Sequence, residues 1–368
     1  MSEKSVTAKK HFNIKRIIAV IVIFVLIAAM IFSSPEVRNS LFGPDNIKLS
    51  FQSGIKYDAV PYNKGMLIIG GDTIRAIDSR GRENWNIVSP INSPMVITKN
   101  KYVMLADLDG TTVSVYEKDK LISQIKTERE ILTAKVNKNG YVAVATGEMG
   151  YKGAVRVYDR KGTEIYKWLS GSGYIGDIDI SSQNKLAVAQ LMTDKEQIYT
   201  RILTFETDSE KEPGNIAQIN GIVMKLKYKS NGGIVAVCDS GVYGFKKNGT
   251  QDYFIDFGGR TPVECNIEND NNMVFTFDSG LNNAILESYS SKGKLRGSYE
   301  TNGEMTSFDV NGERIMVATI NGIYRITPKG KEKSHTVNPY DVNLVKIFPG
   351  RRQFLSIGSG TAEIIRVK

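Results

Sequence analysis

Short apolar runs recur along this chain with polar turns between them. Met66 opens MLIIGG, Tyr102 YVMLAD, Tyr141 YVAVAT and Leu186 LAVAQL; Ile234 opens IVAVCD, Met273 MVFTFD, Ile315 IMVATI and Phe354 FLSIGS. Their starts lie 36, 39, 45, 48, 39, 42 and 39 residues apart. The runs are too short for helices and rich in β-branched residues, so each reads as a strand buried on both faces. An alternating strand follows each run, such as TIRAID from Thr73, TVSVYE from Thr112 or GVYGF from Gly241. Many of these strands meet a turn ending in glycine, at Gly81, Gly162, Gly249, Gly293 and Gly330. Glycine takes the positive φ of such turns without steric cost. A more polar outer strand comes next (RENWNI, TEIYKW), and an innermost strand such as DIDIS or TSFDV precedes the buried run.

Four antiparallel strands per repeat of roughly 40 residues is the signature of a β-propeller blade. Eight runs predict an all-β, eight-bladed propeller, with seven blades as the alternative if one run packs irregularly. The last repeat ends after its third strand, and Ile47 to Phe51 (IKLSF) precedes the first repeat. That segment is expected to supply the missing outer strand of blade eight and so close the ring without an open edge.

One stretch does not fit the strand pattern. Ile17 to Phe32 is sixteen apolar residues without a charge, preceded by Lys9, Lys10, Lys15 and Arg16 and followed by Ser33, Ser34, Pro35 and Glu36. With Ser33 and Ser34 it reaches the length of a spanning helix. The basic flank places the N-terminus in the cytoplasm. A cleaved signal peptide shares the basic flank and apolar core, but no A-x-A precedes a cut. The organisation expected is a cytoplasmic tail at 1–16, a transmembrane anchor at 17–34, a linker at 35–45 and an extracytoplasmic propeller at 46–368.

Charge and cysteine content narrow the function classes. The chain carries a formal +9, spread rather than blocked and without a basic stripe interleaved with aromatics, which argues against nucleic acid. Attraction to an anionic wall or membrane surface is compatible with it. Cys238 and Cys265 sit in apolar runs and read as small core residues, although a disulfide is permitted outside the cytoplasm.

Ala76, Asp78, Gly81 and Trp85 form A-x-D-x-x-G-x-x-x-W. This resembles the repeat of pyrroloquinoline-quinone-type and WD-type propellers, in which the Trp docks one blade on the next. The resemblance assigns blade docking to Asp78, Gly81 and Trp85. Blade three keeps Asp159 and Gly162, with Tyr166 in the Trp place. The layout of basic tail, anchor and degenerate propeller is similar to a clostridial family of membrane-anchored propellers, a likeness that implies a fold and no activity. Quinone dehydrogenases of similar fold need a calcium site and usually adjacent cysteines. Neither is legible here, so no cofactor and no metal are expected.

Candidate chemistry is sparse. His335 is the only histidine beyond the apolar run, too few for a zinc site or a His-based triad. Asp107-Leu108-Asp109-Gly110 and Glu268 to Asn272 resemble calcium-loop fragments and read as turns. Asp177 and Asp179 share one strand face and could do acid–base work in the channel; solvated channel lining is the plainer reading. Two long loops, Gly147 to Gly153 and Met192 to Thr200, lie on the face that also holds Leu169 to Tyr174. Met149, Tyr151, Tyr174 and Tyr199 are expected to gather there as a partner-binding surface. The function expected is a noncatalytic, membrane-anchored scaffold at the cell surface, binding an extracytoplasmic protein or wall component. The alternatives are a hydrolase or lyase acting on glycans or peptides, and a sensor of wall ligands.

Overall fold

The structure is a computed structural model, describing residues 20–27, 29, 46–52, 54–89, 91, 94–194, 197–209, 213–280, 282–337 and 341–367. It forms two units, one to Ile47 and one from Lys48 onward. In the first, residues 20–27 are helical, and every side chain of Val20 to Ile27 is exposed. The tail at 1–16, the linker at 35–45 and, apart from Ala29, the rest of the apolar run lie outside the described residues. Among the described residues no helix is long and apolar enough to cross a membrane.

The second unit contains eight four-stranded antiparallel sheets. They are β2–β5 (Tyr57 to Val88), β6–β9 (Met95 to Lys126), β10–β13 (Ile131 to Ser170), β14–β17 (Tyr174 to Asn220), β18–β21 (Val223 to Asp256), β22–β25 (Glu264 to Glu300), β26–β29 (Met305 to Val337) and β30–β32 (Val342 to Arg366) completed by β1 (Asn46–Ser50). The count is eight, not seven. β1 pairs with β32 (Thr361–Arg366) as the outer strand of blade eight. Every recurring apolar run is a second strand, and β7 (Tyr102–Ala106), β11 (Val142–Thr146) and β19 (Ile234–Cys238) are buried along their whole length. Apolar clusters bridge successive blades; one joins Leu67, Ile69 and Ile74 of blade one to Val103 and Leu105 of blade two. Each blade thus buries its faces against its neighbours, the reason no blade stands alone.

Antiparallel strands send successive turns to opposite ends. We call lower the face carrying the turns between first and second and between third and fourth strands. The upper face carries the turns between second and third strands and the links between blades. Phe51 stacks on Tyr57 at 4.3 Å, so β1 ends at the upper face and begins at the lower. The ring closes where Gln353 Nε2 of blade eight donates to the Ser79 carbonyl of blade one at 3.0 Å.

Candidate functional site

The inner strand of each blade is a sheet edge facing the channel, so its outward N–H groups lack ladder partners. Asp177 and Asp179, on β14 (Tyr174–Ile180), satisfy such groups in the next blade. Asp177 Oδ2 accepts from Leu226 N at 2.8 Å and Asp179 Oδ2 from Tyr228 N at 2.6 Å. Blades seven and eight repeat the device: Ser307 Oγ accepts from Val345 N and Asp309 Oδ2 from Ile347 N at 2.7 Å. The carboxylates are therefore blade-to-blade struts, and the reading of them as solvated lining is corrected. Lys135 Nζ lies 3.3 Å from Asp177 Oδ1.

A bond across the channel was not legible at all. Lys99 of blade two reaches Glu268 of blade six at 2.8 Å, spanning 169 residues of sequence. Buried Lys227 donates to the Ile267 carbonyl at 2.7 Å and stands 3.8 Å from Glu268 and 3.7 Å from Asp270. Lys99, Lys227 and Glu268 line a channel cavity of about 320 Å³ with Asp179. Burial pushes the Asp179 carboxyl up to about 6 against the pull of the Tyr228 N–H, Lys99 and Lys135. Desolvation would raise Glu268 too, but the charges of Lys99 and Lys227 and the Lys99 hydrogen bond hold it down at about 2. Burial lowers Lys227. Glu268 lies in a turn, as its sequence suggests, but the turn serves the channel.

The remaining candidates fall as follows. Asp107 to Gly110 is a hairpin turn, with Gly110 N donating to Asp107 O at 3.1 Å. His335 is exposed and pairs with Glu332 at 3.0 Å. Cys238 and Cys265 are free thiols. Among the described residues no group of three or more His, Cys, Asp or Glu is placed to hold a metal ion.

The motif residues have separable roles. Asp78 Oδ1 accepts from Arg80 N and Arg82 N, and Oδ2 takes the Arg82 guanidinium at 2.8 and 2.9 Å. Desolvation is outweighed there by the Arg82 and Arg80 bonds, so the carboxyl lies below its usual range. Gly81 closes the turn at φ +74°. Trp85 meets Tyr62 edge-on at 5.7 Å within the cluster that joins blades one and two. Tyr166 and Trp168 of blade three likewise pack on Phe205 of blade four, at 6.0 and 5.1 Å.

On the upper face, Met149 is 75% exposed, Tyr151 47% and Tyr174 51%. Lys152 ties the Tyr151 loop to Tyr174, its Nζ 4.9 Å from the ring centre and 3.3 Å from the hydroxyl. Tyr199 is half-buried. Met192 to Thr200 is largely not a loop: Met192 pairs with Tyr199, Thr193 with Ile198 and Asp194 with Gln197, so β15 (Leu186–Asp194) and β16 (Gln197–Phe205) form a projecting hairpin. Exposed Ile198, Ile222 and Met224 extend the patch beyond the expected residues. Ile198 and Met224 lie in strands and Ile222 in the link between blades four and five; only their position at the upper face shows them open.

A model of a family of unknown function (DUF5711) matches residues 45–367. The chain belongs to that family. No curated protein matches it. Its fold is similar to the C-terminal WD40 domain of Sif2, with TM-score 0.62 at 11% identity over 88% of this chain and 99% of that one. A computationally designed protein, Ika8, superposes with TM-score 0.60 at 13% identity over 86% and 98%. BamB from Moraxella catarrhalis gives 0.52 at 10% identity over 87% and 100%. At such identities the likeness concerns the fold alone.

Proposed function

We propose that this member of the DUF5711 family is a noncatalytic scaffold, anchored in the cell membrane through Ile17 to Phe32, whose extracytoplasmic propeller binds a protein partner on its upper face. The observation that carries this reading is the gathering of Met149, Tyr151 and Tyr174, with Ile198, Ile222 and Met224, as exposed apolar side chains on blades three to five. Aromatic and Met side chains on a rigid rim suit an interface core. The acid–base alternative is weaker, because Asp177 and Asp179 already hold backbone N–H groups and a lysine.

The test is crosslinked capture from native membranes with the parent chain and with Tyr151→Ala, Tyr174→Ala and Tyr199→Ala combined. Hot-spot aromatics cost roughly 2 kcal/mol or more each when truncated. The triple variant should lose the partner while melting within a few degrees of the parent. Retention of the partner, or a hydrolytic activity that needs Asp177 or Asp179, would sink the scaffold reading.

A further inference from the structure

The two faces of the propeller carry opposite charge. Among the described residues, the turns of the lower face hold eighteen Lys or Arg against eight Asp or Glu, hence +10. The turns and links of the upper face hold four against nine, hence −5. Consecutive turns alternate between faces, so this segregation survives fifteen and more reversals of the chain only because the basic residues sit in every second turn.

We propose that the lower face lies on an anionic phospholipid surface, leaving the upper face turned outward; this rests on the anchored-scaffold reading above and adds the orientation. Several lower-face acids are engaged within the protein. Glu268 binds Lys99 and Glu313 binds Arg296, both cations from strands, while Asp78 pairs with Arg82 of its own turn and the lower-turn cations Lys101, Lys185 and Lys246 pair with Glu117, Glu206 and Asp252. The lysines Lys64, Lys118, Lys161, Lys247, Lys292 and Lys329 are exposed around the ring. Among the described residues the lower turns themselves expose no large apolar side chain, and at the adjoining strand ends Leu121, Ile165 and Leu295 are exposed singly on three different blades, whereas Met149, Tyr151, Tyr174, Ile198, Ile222 and Met224 gather on the upper face of blades three to five. A face of dispersed ammonium groups without aromatic anchors fits lipid phosphates better than a protein interface, which needs a desolvated apolar centre.

Rigidity supports the same occupant. Side chains bond several lower turns to the next blade: Tyr62 OH donates to Lys101 O at 2.8 Å, Asn137 Nδ2 to Ser181 O at 2.8 Å, and Asp270 Oδ2 accepts from Ser230 N at 2.9 Å. The cations are thereby held on one platform. β1 starts at this lower face, and thirteen residues separate Phe32 from Asn46. Fully extended, those thirteen residues span at most about 45 Å. Surface attraction decays within a Debye length of about 8 Å, and each Lys or Arg brought into it is worth roughly fivefold in partition.

The test reconstitutes the full chain into vesicles of phosphatidylcholine alone or mixed with phosphatidylglycerol, then labels lysines with an impermeant acylating reagent read by mass spectrometry. Lys64, Lys247 and Lys329 should be protected several-fold in the phosphatidylglycerol vesicles, and high salt should abolish the protection. Lys56 and Lys152 on the upper face should label equally in both. Replacing Lys118, Lys247, Lys292 and Lys329 together by Glu should remove the protection at Lys64. Equal labelling of lower-face lysines in both vesicles, with the chain floating on both, overturns the orientation and leaves the anchor intact. Flotation on phosphatidylglycerol vesicles only, reversed by salt and with the same protection, supports the lower face as a lipid-binding surface and refutes the anchor. Protection by an added acidic wall polymer without protection by phosphatidylglycerol also overturns the proposal.

Discussion

Replacing Asp179 by Asn isolates the cost of holding a carboxylate between two blades. In the folded chain this carboxyl titrates at about 6, against 3.8 for an ordinary aspartate, because burial outweighs the Tyr228 N–H and the charges of Lys99 and Lys135. A group whose folded pKa is raised favours the folded state while protonated. Its contribution is fully present below about 3.8 and is lost as the pH rises through about 6. Two units at roughly 1.4 kcal/mol each put that loss near 3 kcal/mol at neutral pH. Asn keeps an oxygen to accept from Tyr228 N and carries no charge to desolvate. Lys227 loses one nearby carboxylate, which offsets part of the gain. Asp179→Asn should therefore be more stable than the parent by about 1–3 kcal/mol near pH 7 and closely matched to it near pH 4. Urea unfolding at both pH values measures this. Glu268, its carboxyl held at about 2, begins to lose its own contribution below about 4.5, but parent and variant share it, so it cancels from the difference between them at each pH. A variant less stable than the parent at neutral pH by more than about 1 kcal/mol would refute the reasoning and make the charge itself the stabilising element.

Three further outcomes are expected. Deleting Ile47 to Phe51 strips β1 from blade eight; its side chains are exposed or half-buried, so the cost comes from the backbone ladder at about 1 kcal/mol per bond. The propeller should unfold cooperatively at lower temperature, and an unchanged melting curve would contradict the closure. In Gly330→Ala, at φ +74°, the new methyl would strike the Ser298 carbonyl of blade six, costing about 2–4 kcal/mol. Gly312→Ala, at φ +62° with open space around it, should cost only about 1 kcal/mol, and equal losses in chemical denaturation would discount the inter-blade contact. Cys238 and Cys265 belong to blades five and six and are free, so mass spectrometry with and without reductant should show no change; a gain of about two daltons on reduction would reveal a disulfide.

The blade count, the second strands and the closing strand were all legible in the sequence. Burial on both faces leaves a continuous apolar run, and turn chemistry marks the chain reversals. Asp78 and Gly81, assigned to blade docking by resemblance, instead close a local turn, their bonds staying within five residues. The hairpin at Met192 to Thr200 was misread because its polar, outward residues carry no burial pattern, although the ladder continues through them. Charge segregation was present in the sequence as a parity of turns, and sorting the turns by face would have exposed it.

Sequence alone therefore determined a ring of eight similar sheets, because strand burial and turn conformation depend on residues close in the chain. The ring decided the rest. Lys99 and Glu268 meet across 169 residues because opposite inner strands converge on one axis. Asp177 and Asp179 became struts, not solvated lining, because the neighbouring blade presents unpaired N–H groups at hydrogen-bond distance. No local pattern encodes either event: each depends on where a second, distant edge comes to rest.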